Sequence, residues 1–147
     1  MALAAYGNME NIITAIPPSA LVQFTDSGLP IFLNNWQHTL DPEKGIFHYV
    51  GLARACQEAT ESVLLSYAQQ AKKLSNAHNL AVAGGVFLNI LGNTRLAKSG
   101  IFDDYFVPST PHDPGIAIGC AVYGSLFGEP YTQIKYPATD QLGPNYS

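Results

Sequence analysis

The sequence predicts an α/β fold: a short sheet with a hairpin and about three packed helices. Two successive strand, turn and helix units in the second half, a long amphipathic helix before them, and a hairpin near the beginning predict this class. Of 147 residues, 47% are hydrophobic, which is enough to bury a core of ordinary domain size. We expect residues 1–127 to form one unit and residues 128–147, with prolines and polar residues, to be a C-terminal extension or the start of a linker.

The first element is a hairpin. Two short apolar runs, residues 21–24 and 29–33, flank a turn in which Asp26 and Gly28 supply turn chemistry and positive φ. Pro30 lies inside the second run and cannot donate a ladder hydrogen bond, so this strand is predicted at an edge or to begin after the proline. Residues 34–45 are then predicted to be a loop.

A long helix follows. From residue 47 to residue 74, apolar or small residues recur at helical spacing, and polar residues occupy the other faces. Lys72 and Lys73 suit the negative end of the helix dipole, and residues 76–79 are a plausible stop. The pattern therefore predicts one amphipathic helix over this segment.

The first strand, turn and helix unit covers residues 80–99. Residues 80–83 have the character of a short buried strand, and residues 86–99 have helical spacing that ends before Gly100. Gly84 and Gly85 between them would let a phosphate or ribose approach the backbone and the free amides of a helix start. A tight turn that needs positive φ is the plainer interpretation of the pair. Neither a Walker A nor a GxGxxG pattern is present, which excludes P-loop and Rossmann assignments.

The second unit repeats this order, with a strand at residues 105–107 and a helix at residues 115–127. Asp113 is a good helix N-cap, and Pro114 is tolerated at the first helical position. A carboxylate beside the imidazole of His112 could also bind a metal or handle protons. From chemistry alone, capping is the plainer role for Asp113.

Other features exclude several classes of function. The net charge of −4 without a run of Lys or Arg argues against binding to nucleic acid. Cys56 and Cys120 lack paired spacing and are predicted to be reduced core residues of a cytoplasmic protein. His38, His48 and His78 show no ligand spacing and are interpreted as surface or packing residues. No apolar run is long enough to predict a membrane span.

Three segments carry a resemblance to a known family. Residues 80–124 contain GGVFLNILGNTR, FDDYFVPSTP and HDPGIAIG, residues 1–7 read MALAAYG, and residues 142–147 read LGPNYS. They resemble the GGV-x-LN-x-x-x-N-x-R, F-x-x-x-FV-x-P, GD-x-G-x-x-x-G, MGLAAYG and LGP-x-YS patterns of the NodU/CmcH-type carbamoyltransferases. The polar positions of the first pattern are occupied by Asn89, Asn93 and Arg95.

The resemblance implies an actin-like, Hsp70-like ATPase (ribonuclease H-like) fold, of which residues 1–127 would be the second lobe. Such enzymes make carbamoyl-adenylate from carbamoyl phosphate and ATP, and transfer the carbamoyl group to the hydroxyl of a small molecule. The first lobe and the YrdC-like domain that makes the adenylate would be partners outside this sequence. The isolated chain is therefore expected to be inactive; the alternative is a non-catalytic module that binds a nucleotide or another subunit.

The same resemblance implies a site. Gly84, Gly85 and Asn89 would line the adenosine and phosphate side, and Asp113 would be the carboxylate ligand of a divalent metal, for which the resemblance favours iron. The other two metal ligands of the family come from an H-x-x-x-H motif that this sequence does not contain. His112 stands where the family usually has glycine, and we expect it to fill space rather than to bind the metal.

Overall fold

The computed structural model describes residues 1–5, 16–33, 41 and 43–127. The α/β class is confirmed. In chain order, the described helices and strands are α1 (Ala2–Ala5), β1 (Val22–Phe24), β2 (Pro30–Phe32), α2 (Val50–Ser75), β3 (Asn79–Ala81), α3 (Ile90–Ala97), β4 (Asp104–Phe106) and α4 (Gly115–Ser125). The predicted extension at residues 128–147, His38 and most of the predicted loop at residues 34–45 lie outside the described residues.

Helix α2 is the central element, and its prediction is confirmed. It runs for 26 residues after a 3-10 turn at Ile46–Tyr49. Asn76 adopts the left-handed conformation with a φ of 50° and ends the helix, as its N–H donates to the carbonyl of Lys72. The Lys72 ammonium in turn donates to the Ala77 carbonyl at 2.7 Å, which satisfies a polar group just beyond the helix end.

The predicted hairpin is also confirmed. Strands β1 and β2 pair antiparallel, and β2 begins at Pro30 itself, opposite Phe24. Gly28 has a φ of +84°, which explains the need for glycine in the turn. The hairpin is fastened to α2 because the Ser66 hydroxyl donates to the Gly28 carbonyl. One hydrophobic core cluster joins the hairpin to the first half of α2, and consists of Leu21, Val22, Leu52, Ala55 and Ala59.

The second half of α2 carries the two strand, turn and helix units. Strands β3 and β4 pair in parallel, with Leu80 opposite Tyr105, and α3 forms the crossover between them. A second core cluster of Leu64, Ala68 and Leu96 packs between α2 and α3. The parallel pair places the ends of β3 and β4, and the turns that follow them, at the same edge.

The single helix predicted at residues 86–99 is wrong in one respect. A 3-10 turn at Gly85–Leu88 comes first, and α3 begins only after Asn89. The reason is local: the Asn89 side chain accepts a hydrogen bond from the Gly92 amide at 3.1 Å, so it acts as the N-cap of a new helix. The helical spacing indicated the face of the segment but not this interruption.

Two expectations about burial are also wrong for the described part of the chain. Helix α4 is one of the helices predicted to be packed, yet none of its residues is buried. Cys56 and Cys120 are free thiols and exposed, rather than core residues. Cys56 follows Ala55, which faces the core from α2, and lies about 100° further round the helix. Its partial burial still raises the pKa of the thiol through desolvation.

Candidate functional site

Two turns meet beyond the carboxyl ends of β3 and β4. The Gly84 N–H donates to the Pro111 carbonyl at 2.6 Å and ties one turn to the other. Gly84 has a φ of +117°, which confirms the plainer interpretation of a turn that needs glycine. A Cβ atom on Gly84 or Gly85 would meet nothing within 4 Å. The backbone therefore faces open space at an edge where ligands of α/β proteins commonly bind.

The second turn is held tight by Gly115. A Cβ atom there would lie closer than 3.0 Å to the backbone carbonyl oxygen of Thr110, so only glycine fits without a backbone shift. The Gly115 amide donates to the His112 carbonyl at 2.8 Å, and the Ile116 amide donates to the Asp113 carbonyl at 3.0 Å. These backbone contacts fix the start of α4 and the segment that carries Asp113.

The prediction that Asp113 caps α4 is wrong. Pro114 occupies the N-cap position, and no side chain accepts a capping hydrogen bond there. The backbone carbonyl of Asp113, rather than its carboxylate, accepts from the first turn of the helix. Its side chain is exposed, so the carboxylate is open to another ligand.

The residues that the structure describes do not form a metal site by themselves. They contain no group of three His, Cys, Asp or Glu side chains close enough to hold an ion. Asp113 can therefore be at most one ligand of a site that other residues complete. Its role as a metal ligand stays a prediction.

A groove of about 750 Å³ lies between the two turns and α4. We call it the α4 groove; Gly84, Thr110, His112, Asp113, Ile116 and Tyr123 are among its lining residues. The Nδ1 atom of His112 and the Oγ1 atom of Thr110 are buried and have no hydrogen-bond partner among the described residues. His112 thus fills part of the groove wall, and its Nδ1 atom is covered whereas the Asp113 side chain is exposed.

The Asn89 side chain is partly buried and is hydrogen-bonded to α2. Its Oδ1 atom accepts from the Gly92 amide and from Gln57 Nε2, both at 3.1 Å. Its Nδ2 atom donates to Gln57 Oε1 at 3.0 Å, which leaves one N–H of the Asn89 amide for another partner. Gln57 is only 8% exposed. The proposed contact of Asn89 with a nucleotide stays a prediction, and its N-cap and cross-helix contacts are structural.

The other two polar positions of the motif also make internal contacts. Asn93 donates to the Phe87 carbonyl at 2.7 Å and accepts from the Tyr105 hydroxyl at 3.1 Å. Arg95 donates to Glu61 at 2.8 Å. Desolvation by burial raises the pKa of Tyr105 above its ordinary value of 10.0. The motif thus holds the segment between the Gly84 turn and β4 in place.

Sequence reasoning missed Gln57, Glu61 and Thr110. Gln57 donates to both Asn89 and Glu61, so a polar network crosses from α2 to α3. A signal for Gln57 was available, because its position in the helical pattern is close to the buried face of α2. No local signal pointed to Thr110, since its environment depends on the approach of Gly115.

The carbamoyltransferase N-terminus family matches residues 33–122, which include both turns and more than half of the chain. The chain belongs to this family. The resemblance found in the sequence motifs is therefore confirmed.

Three curated relatives illustrate the match. The chain is 34% identical over 87 residues to nodulation protein NolO of Bradyrhizobium diazoefficiens, covering 58% of this chain and 16% of the relative. It is 44% identical over 75 residues to nodulation protein U of the same organism, covering 51% and 12%. It is 32% identical over 104 residues to nodulation protein U of Rhizobium tropici, covering 61% and 18%. The chain thus spans less than a fifth of the length of these three relatives.

No solved structure matches this chain. The α/β class therefore rests on the observed elements and the family, and the actin-like assignment stays a prediction. None of the described helices is long and apolar enough to cross a membrane.

Proposed function

We propose that this chain is part of an O-carbamoyltransferase that moves a carbamoyl group from carbamoyl-adenylate, made from carbamoyl phosphate and ATP, to a small-molecule hydroxyl. Family membership supports carbamoyl transfer. One observation supports the location of the proposed site. The 2.6 Å hydrogen bond from the Gly84 N–H to the Pro111 carbonyl brings the open glycine turn beside the turn that bears Asp113.

The proposed step is an acyl transfer. The acceptor hydroxyl oxygen attacks the carbamoyl carbon, the bond from that carbon to the adenylate phosphate oxygen breaks, and AMP leaves with the bonding electrons. The hydroxyl proton is released, so the products are the O-carbamoyl compound, AMP and one proton. No residue of this chain is assigned as the base.

The chain's own residues would bind and orient the donor. The exposed backbone at Gly84 and Gly85 leaves room for a nucleotide to approach without a side chain in the way. The one remaining N–H of the Asn89 amide is available for a polar contact with it. Asp113 has an exposed carboxylate suited to a divalent cation such as iron, which when bound would act as a Lewis acid on oxygen atoms.

The proposed partners are a first lobe with the remaining metal ligands and a YrdC-like domain. Two observations support the need for these partners. The chain covers only a small share of the length of its relatives, and the residues that the structure describes contain no cluster of three metal ligands. The same cluster result favours an alternative, a non-catalytic module that binds a nucleotide or another subunit.

A nucleotide titration with matched glycine variants tests the proposed site. Gly84 and Gly100 both have positive φ, and a Cβ atom at either would meet nothing within 4 Å. Alanine is strained at both positions, and more strongly at Gly84, whose φ of 117° and ψ of 155° lie in a region that essentially only glycine adopts. The folded fraction of each variant is therefore measured before its affinity. We expect Gly84→Ala to weaken binding of a non-hydrolysable ATP analogue and Gly100→Ala to leave it unchanged. Equal affinities of the two variants would contradict the placement.

The transfer activity needs a separate assay. Release of AMP from carbamoyl-adenylate is measured with the chain alone, and then with a first lobe from a full-length relative added in trans. We expect little or no release by the chain alone and release dependent on the acceptor with the lobe. Robust transfer by the chain alone would refute the proposed need for a partner, and nucleotide binding without transfer in both cases would favour the alternative.

A further inference from the structure

Two polar side-chain atoms in the wall of the α4 groove are buried and have no hydrogen-bond partner among the described residues. Among the described residues, Thr110 Oγ1 and His112 Nδ1 are the buried side-chain oxygen and nitrogen atoms that no hydrogen bond satisfies. An unsatisfied polar atom in the interior is unfavourable, and such atoms in a folded protein call for an explanation. Both residues line the same groove and are separated by one residue in the chain.

The lining of the α4 groove limits what could satisfy them. It contains no Lys or Arg, and Asp113 is its one acidic residue. Apolar and aromatic side chains such as Phe106, Ile116 and Tyr123 make up much of the remainder. Without a bound cation, the carboxylate would disfavour a phosphate at Thr110 and His112, because no Lys or Arg lines the groove. A neutral group with its own donor and acceptor fits better.

We propose that Thr110 and His112 bind the carbamoyl group of the substrate in the α4 groove. This inference rests on the proposed carbamoyl transfer and adds the residues that orient the transferred group. A carbamoyl group has a carbonyl acceptor and an NH₂ donor. The Thr110 hydroxyl can donate to the carbonyl, and an unprotonated His112 nitrogen can accept from the NH₂.

Both atoms are covered in the structure, so binding requires the two side chains to turn towards the groove. The unsatisfied state favours this change, because each atom gains a partner that it otherwise lacks. Neither residue contacts the acceptor or moves a proton in this proposal. They are positioning residues that hold the carbamoyl group beside Asp113.

The test uses methyl carbamate and methyl acetate as probes, with the full 147-residue chain and no ATP. The two probes share a carbonyl and an ester oxygen, but only the carbamate has an NH₂ group. We expect methyl carbamate to shift the NMR signals of the His112 ring, and methyl acetate, which can bond only to the Thr110 hydroxyl, to shift them less. Equal shifts with both probes, or no shift with either, would overturn the inference.

Variants separate binding from structure. Thr110→Val and His112→Phe should each weaken methyl carbamate about three- to tenfold, which is the range for one hydrogen bond. Thr110→Ser, which keeps the hydroxyl, and Ser109→Ala, at an exposed neighbour outside the groove lining, should retain affinity. Because Val and Phe remove unsatisfied buried atoms, they should leave the melting temperature unchanged or raise it. Unaltered affinity in both variants, or a lowered melting temperature in both, would contradict the proposal.

The outcome can be told apart from a failure of the proposed function. Loss of the carbamate response, while added lobes still restore carbamoyl transfer, would remove only the role of Thr110 and His112. A specific carbamate response without transfer in the reconstituted assay would instead count against the transferase proposal.

Discussion

Alanine substitutions at two glycines of α4 should have opposite effects on stability. At Gly115, the new Cβ atom would lie closer than 3.0 Å to the Thr110 carbonyl oxygen, and a backbone atom cannot be moved aside as the end of a side chain can. Overpacking of this kind costs about 1–3 kcal/mol. At Gly119 the Cβ atom would meet nothing within 4 Å, so only the helix preference of alanine acts, a gain of about 0.5–1 kcal/mol.

The free energies of unfolding of the two variants should therefore differ by about 1.5–4 kcal/mol. Urea denaturation followed by circular dichroism measures this difference, and thermal melts should show it as about 2–4 °C per kcal/mol for a chain of this size. Gly119→Ala is the matched control, because it makes the same chemical change in the same helix. If both variants were stabilised, or shifted equally, the proposed close approach of Gly115 to Thr110 would be refuted.

Three other predictions follow from contacts near the site. Asn89→Ala should be less stable than Asn89→Ser by about 1 kcal/mol in urea denaturation, because serine keeps the N-cap; indistinguishable variants would argue against capping. Asp113→Ala should change stability by less than about 0.5 kcal/mol, since its carboxylate caps nothing, but should abolish metal retention in the reconstituted enzyme. Metal analysis checks the second effect, and undiminished metal would exclude Asp113 as a ligand. Tyr105 has a folded-state pKa above its ordinary 10.0, so its stabilisation is present below about pH 10 and is lost as pH rises through the folded pKa. When urea denaturation is measured as pH rises above about 10, the free energy of unfolding should fall less for Tyr105→Phe than for the unsubstituted protein. An identical pH dependence of the two proteins would contradict this.

The elements that could be predicted from sequence are those specified by local chemistry. The turn residues around Gly28 predicted the hairpin, and Gly28 has the positive φ that such a turn requires. Helix α2 followed from the spacing of its apolar residues, and its end from Asn76 and the residues after it. The resemblance of residues 80–124 led to the correct family because that segment carries several separate motifs.

The features that were missed depend on contacts between distant parts of the chain. The pairing of Asn89 with Gln57 joins residues 32 positions apart, and no pattern near either residue specifies it. The N-cap assignment of Asp113 failed because its carboxylate accepts no hydrogen bond from the first turn of α4, where the Gly115 and Ile116 amides donate to backbone carbonyls instead. Local propensity states what a residue can do, and the surrounding structure decides which of those contacts is made.

The low charge of the sequence and the exposure of α4 have a common physical explanation. Charged residues make up 12% of the chain, against about 25% in a typical soluble domain. Helix α4 contains no charged residue, and two of its large apolar side chains are exposed: Ile116 is 67% exposed and Tyr123 is 64% exposed. A helix that is apolar on all sides is ordinarily buried. The exposed α4 therefore supports the proposal that another part of a carbamoyltransferase covers this side of the α4 groove, and that the site is completed there.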